Sequence, residues 1–297
     1  MIADCQLVQK LKSTCDLPTL PAVLMPLLRY LERPLDSQDM HEIVRLISQD
    51  ETLAARCLQL ANSPLYGCSH EVQSIQSAVV SLGLQKIHEI AVSCSLLKLA
   101  SGRWADFSPA VFWAHSLACA LVSREFAIRI GFPLPPKAYA AGLLHDIGVV
   151  ALLWAAPQDF RRALQMAHGE RIPLHEAEQR VLGITHADAG RIVGQCWGLP
   201  SEIVEVIAHH HCPQRAPATA VLASIVCVSD LLCRLHGIGH GQQENCETNF
   251  IEEPAFTLLT AQFSALHPFD WARFTFEMEG LVAEVQETVS RIYGAGQ

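Results

Sequence analysis

Seventeen residues, 140–156, decide most about this chain: AAGLLHDIGVVALLWAA is apolar throughout except for one histidine and one aspartate, His145 and Asp146. Such a run reads as a buried helix. An ionised carboxylate inside it costs several kcal/mol unless it is paired or bound to a metal. Asp146 therefore needs partners from elsewhere in the chain. Candidates of suitable chemistry stand at His115, His186, His210, His211 and Asp230, each in its own predicted helix or at a helix end. The question they raise is whether they hold metal and do chemistry.

The rest of the composition narrows the classes. Half of the 297 residues are hydrophobic and 17% are charged, the balance of a compact globular chain rather than a disordered one. The net charge is −9 and no lysine- or arginine-rich run occurs, so nucleic-acid backbone has no electrostatic footprint here. Eleven scattered cysteines without a Cys-x-x-Cys pair suit reduced, buried thiols and a cytoplasmic location. The first 13 residues lack the apolar core of a signal peptide. No stretch of about 18 apolar residues is free of charge, so no membrane span is expected.

Helical spacing runs through the whole chain and the expected fold is all-α. Pro21 opens a helix carrying Val23, Leu24, Leu27, Leu28 and Leu31, which Arg33-Pro34 stops. Ser37 is the expected N-cap of the next helix and Asp50 of the third. Two further helices meet at Gly83, and 101–103 begin a connector. Another helix runs from Pro109 to Ile130 and carries His115. Residues 158–168 form a more polar helix, with another beginning at Pro173. Thr185 and Asp188 form a capping box that puts His186 in a first turn. Ser201 is the expected cap of the helix ending in His209-His210-His211, and Thr219–Leu235 holds Asp230. The Gly-, Gln- and Glu-rich stretch 236–253 reads as a linker, and 255–297 as one or two closing helices.

Three words in order, LPTLP (17–21), LISQDETLAARCLQLANSPLYG (46–67) and SIQSAVVSLGLQKIHEIAV (74–92), resemble the HDOD family, bacterial output-domain relatives of the HD phosphohydrolases. The resemblance covers roughly residues 13–213. It implies an N-terminal helical bundle (1–105) packed on an HD-like subdomain (106–235), a linker (236–254) and closing helices (255–297). The HD pattern H…HD…D falls on His115, His145, Asp146 and Asp230. The second-metal ligands of the related HD-GYP group fall on His186, His210 and His211. The implied cofactor is a binuclear divalent centre of iron, manganese or zinc.

Two departures weigh against an enzyme. Val149 stands where the HD-GYP group has lysine, and His-Cys-Pro-Gln-Arg follows where it has Gly-Tyr-Pro. Val111 also replaces the carboxylate of three-metal members. The expectation is a bacterial signal-transduction protein that binds a signalling partner or a small nucleotide ligand, with neither nucleic acid nor membrane as partner. Its rivals are a metal-dependent phosphohydrolase acting on a nucleotide or cyclic dinucleotide, and a diiron redox or oxygen sensor. The other histidines are expected to be structural or exposed. Cys119, Cys196, Cys212 and Cys227 are expected to fill the core.

Overall fold

The computed structural model describes residues 6–13, 20–31, 39–67, 70–97, 107–239 and 252–294. Among the described residues no strand occurs, and the fold is all-α. The expected turns at 17–19, 33–34 and 101–103, the cap Ser37 and residues 240–251 of the expected linker lie outside them.

The first six helices are α1 (Gln6–Lys12), α2 (Leu24–Leu31), α3 (Met40–Ser48), α4 (Glu51–Ala61), α5 (Ile75–Leu82) and α6 (Leu84–Leu96). Asp39 caps α3, accepting from the His41 backbone N–H at 2.8 Å, so the cap is two residues beyond Ser37. Asp50 caps α4 as expected. Helix α6 is the axle of this half: α2, α3, α4 and α5 surround it, α8 (Pro135–Leu144) closes the circle, and every residue from Ile87 to Leu96 is buried. Helices α5 and α6 meet at Gly83, whose φ of 88° is open to glycine alone at low cost.

A buried ion pair fixes α6 to α7 (Pro109–Ile130). The Glu89 carboxylate is fully buried and bonds the Arg124 guanidinium, which also holds Glu125 at 2.8 Å. Burial pushes the Glu89 carboxyl up, and Arg124 pulls it back down. Removing one partner of a buried pair strands the other. Arg124→Met should therefore destabilise the fold by about 3–5 kcal/mol, while the double change Glu89→Met/Arg124→Met should recover most of that loss. Chemical denaturation of the two variants checks the difference.

The remaining helices are α9 (Ile147–Ala155), α10 (Pro157–Glu170), α11 (Leu174–Leu182), α12 (His186–Cys196), α13 (Ser201–His209), α14 (Ala220–Leu235), α15 (Pro254–Gln262) and α16 (Trp271–Gly294). Helix α7 lies along α8, α14 and α16, and α9 lies on α12. Helix α1 docks on α9 and α12, where Lys10 Nζ donates to the Ala155 carbonyl at 2.6 Å at the negative end of α9. Pro200, not Ser201, occupies the cap position of α13 and makes no side-chain cap bond. The closing segment, expected as one or two helices, holds α15 and α16, with α16 burying Phe274, Met278, Val282, Val285 and Val289 at helical spacing.

The expected single helix over 140–156 is a correction: α8 stops at Leu144, His145 and Asp146 form a turn, and α9 starts at Ile147. Two glycines bracket the break, each at a helix crossing with no room for a side chain. A Cβ on Gly142 would lie 2.7 Å from Ser123 Oγ and 2.8 Å from the Cys119 carbonyl of α7. On Gly148 it would fall inside the shell of the His186 carbonyl oxygen and 2.6 Å from Gly190 N, both of α12. The segments Pro109–Ile130 and Pro135–Ala155 are long and apolar enough to cross a bilayer. Their most apolar windows are 78% and 94% buried within the protein.

Candidate metal centre

All seven predicted site residues converge on one point between α7, α9, α12, α13 and α14. His115 comes from the second turn of α7, and His145 and Asp146 from the turn between α8 and α9. His186 is the first residue of α12, held there by the expected capping box of Thr185 and Asp188. His210 and His211 follow the last turn of α13, and Asp230 sits in the middle of α14. Six of the seven are buried; His211 is partly exposed.

Asp146 is the hub. Its Oδ2 lies 3.0 Å from His145 Nε2 and 3.3 Å from His115 Nε2, while Oδ1 lies 3.3 Å from His186 Nε2 and 3.4 Å from His210 Nε2. Asp230 Oδ1 is 3.3 Å from His115 Nε2 and 4.0 Å from His145 Nε2. His186 Nε2 is 3.4 Å from His210 Nε2 and 2.8 Å from His211 Nε2. The break in the helix makes this possible, since it frees Asp146 to turn both oxygens inward.

Four rings are locked from behind. The Nδ1 of His115 donates to the Ile238 carbonyl (3.0 Å), that of His145 to Gly142 (2.7 Å) and that of His210 to Ile207 (2.9 Å). His186 donates from both Nδ1 and its backbone N–H to Glu178 Oε2, each at 2.7 Å. An acceptor at Nδ1 places the proton there and directs Nε2, with its lone pair in the neutral ring, toward the centre, the orientation that metal-ligating histidines take.

The electrostatics ask for positive charge in the middle. Burial alone would lower the basicity of His115, but Asp146 and Asp230 overcome it and push its pKa up to about 10. Burial likewise opposes charge on His186, and Glu178 and Asp146 push it up to about 9. His210 and His211 are held below the usual range by burial, with neighbouring imidazoles adding to the effect. Burial would raise Asp230, yet Arg234, with Nη2 at 2.8 Å from Oδ2, and His115 hold it well below the carboxylate range.

A divalent cation fits this donor set. Two ligands bound to one ion at bonds of about 2.1 Å sit about 3.0–3.4 Å apart, for right-angle and tetrahedral placements respectively. His186, His210 and His211 form one group whose ligand atoms lie within 4.8 Å of one another, and His115, His145 and Asp146 a second. The buried His145 Nε2 makes no hydrogen bond, although Asp146 Oδ2 is 3.0 Å away. Imidazole nitrogen with carboxylate oxygen suits iron, manganese or zinc.

Four supports escaped the sequence reading. Glu178 is buried behind His186, and His175 of α11, expected to be structural or exposed, stacks on His211 with ring centroids 4.3 Å apart. Residues 236–239 belong to the site and not to a free linker, since Ile238 is buried and its carbonyl holds His115. Arg234, one turn after Asp230, was visible as an i,i+4 pair. Among the cysteines, Cys119 and Cys227 fill the core, whereas Cys196 is exposed and Cys212 partly so. His88 is structural, its ring stacked on Tyr30 and its Nε2 2.6 Å from the Leu27 carbonyl.

A profile of the HDOD domain matches residues 17–213. The crystal structure of an HDOD domain protein with unknown function from Geobacter sulfurreducens superposes with a TM-score of 0.84 at 28% identity, covering 96% of each chain. A Shewanella amazonensis protein described as a candidate phosphohydrolase superposes with a TM-score of 0.70 at 23% identity, covering 95% of this chain and 97% of that one. At that identity the likeness shows a shared fold. An uncharacterized protein of Treponema pallidum (strain Nichols) is 29% identical over 203 residues, 68% of this chain, and the match spans only 39% of that relative's length.

Proposed function

This chain belongs to the HDOD family, and from that premise we propose that it acts in signal transduction by binding a ligand or partner through a domain organised on a binuclear divalent metal centre, with little or no hydrolysis of its own. One observation carries the binuclear reading: Asp146 presents one oxygen to His115 and His145 and the other to His186 and His210. A single carboxylate thus belongs to two ligand groups. His115, His145, Asp146 and Asp230 would hold one ion; Asp146, His186, His210 and His211 the other.

The metals, when bound, would supply Lewis acidity and a hydroxide near neutral pH. What the chain itself supplies is orientation, through the Nδ1 contacts and Glu178, and exclusion of water by burial. The position taken by lysine in the HD-GYP group is Val149, fully buried on α9, so no side chain there reaches a phosphate. That absence favours binding over turnover.

The phosphohydrolase reading keeps one specific support, the complete set of seven ligand-type residues in one place. A screen of nucleotides, phosphomonoesters and cyclic dinucleotides against protein loaded with manganese, iron or zinc separates the two. Binding without turnover is expected. Sustained hydrolysis that disappears in Asp146→Ala would replace the signalling reading with the enzyme.

A further inference from the structure

Helices α12 and α13 form an antiparallel pair whose register two glycines reveal. A Cβ on Gly190 would lie 2.5 Å from Ile207 Cγ2, and one on Gly194 would lie 3.2 Å from Val204 Cγ2 and 3.4 Å from Leu199 Cδ1. Beside that tight seam lies a cavity of about 410 Å³, bordered by Arg191 and Gln195 of α12 and by Ser201, Glu205, Ala208 and His209 of α13. The volume is in the range of small-molecule sites. Leu199 and Val204, both buried, give it an apolar wall. The register puts Arg191 and His209 toward one end, and Gln195 and Ser201 toward the other.

None of the seven residues of the metal centre lines this cavity. His209 turns into it while its neighbour His210 turns toward Asp146, because adjacent helical residues project about 100° apart. Arg191 is half-buried, and among the described residues its guanidinium makes no hydrogen bond or ion pair. The same holds for the side chains of Gln195, Ser201 and His209. Glu205 does not neutralise Arg191. Its Oε1 accepts from the Ala218 backbone N–H at 3.2 Å, which turns the carboxylate toward the segment before α14.

We propose that the groove between α12 and α13 binds a small monocarboxylate with an apolar body, the carboxylate on Arg191 and the body against Leu199, Val204 and Ala208. The inference rests on the ligand-binding reading and gives it a ligand class and a place. A planar guanidinium presents paired N–H donors that match the two oxygens of a carboxylate. One cation with Glu205 close by balances a single negative charge better than the nearly two of a phosphomonoester. The His209 ring offers a second donor at the same end, and the apolar wall favours a hydrocarbon body over a sugar.

The test is an affinity cycle on the full chain with two probes, 4-phenylbutyrate and its uncharged amide, followed by NMR titration. Each titration is run before and after chelator treatment, with metal content from elemental analysis. Wild type should bind the acid about tenfold or more tighter than the amide, the effect of a charged hydrogen bond. Arg191→Gln should erase that gap, leave amide binding unchanged and keep the wild-type Tm, since the guanidinium has no partner to lose. Ala208→Asp is the second variant. It sets a carboxylate beside Arg191 and should erase the gap as well. Equal affinity of acid and amide for wild type, no binding of either up to about 10 mM, or a gap that persists in either folded variant would overturn the proposal. So would a gap that vanishes on chelation, because the acid would then sit on the metals. A gap intact in metal-free protein supports the groove even if the binuclear reading fails, and loss of the groove leaves metal content and the nucleotide screen to be judged on their own results.

Discussion

Asp146→Ala is expected to empty both halves of the histidine centre at once. Wild-type protein purified without chelators should carry about two divalent ions per chain, and the variant well under one. The reason is the sharing: Oδ2 faces His115 and His145, Oδ1 faces His186 and His210, so one truncation strips a ligand from each group. Loss of a ligand itself should exceed the roughly 10–100-fold drop in affinity typical of losing an outer-shell partner. His211→Ala is the contrast. It touches the group of His186 and His210 alone and should retain about one ion. Equal metal in Asp146→Ala and wild type would show that the carboxylate bridges nothing. The helical content should survive, because the imidazoles left without metal or carboxylate can stand neutral.

Gly148→Ala should be more damaging than the same change at any other described glycine. The added Cβ meets backbone, the His186 carbonyl oxygen and Gly190 N, and backbone has no rotamer by which to step aside. Helices α9 and α12 must separate, at a cost of about 3 kcal/mol or more. For a chain of this size that corresponds to a fall in Tm of roughly 6–12 °C. The shift also carries His186 away from Asp146, so the His186 group should lose its ion while the His115 group keeps its own. Gly169→Ala on α10 is the control, with nothing within 4 Å of the new Cβ. Its expected effect is neutral to about 1 kcal/mol stabilising, since alanine favours a helix over glycine. Thermal unfolding of both variants checks the contrast, and similar Tm values for the two would refute the crossing argument.

Much of this site was readable in advance, for reasons that particular residues make plain. A carboxylate at 146 in an apolar run had to be partnered, and chemistry of the right kind recurred at helix ends in an order that matched a known pattern. The Thr185 capping box is local, and so its prediction held. What escaped were features set by contact between distant segments. Hydrophobic patterning cannot tell a long buried helix from two buried helices meeting in a turn, so the break at His145 and Asp146 was invisible, although Gly142 and Gly148 bracket it. Glu178 reaches His186 across a loop, and Ile238 offers only a carbonyl, which no side-chain pattern reveals. Ser37 and Asp39 are both good caps two residues apart, and composition does not choose between them. The Gly-rich character of 236–253 concealed that its first three residues are anchored by backbone hydrogen bonds to the end of α14.

The close crossing of α9 and α12 also bears on time. Side chains packed between two helices can re-sort their rotamers and let the helices slide, while peptide resting on peptide at Gly148 and Gly190 has no such freedom. Asp146 and His186, one at the start of each helix, therefore keep step with each other. A displacement imposed on either residue is shared by the other, and the two ligand groups of the centre move as one unit.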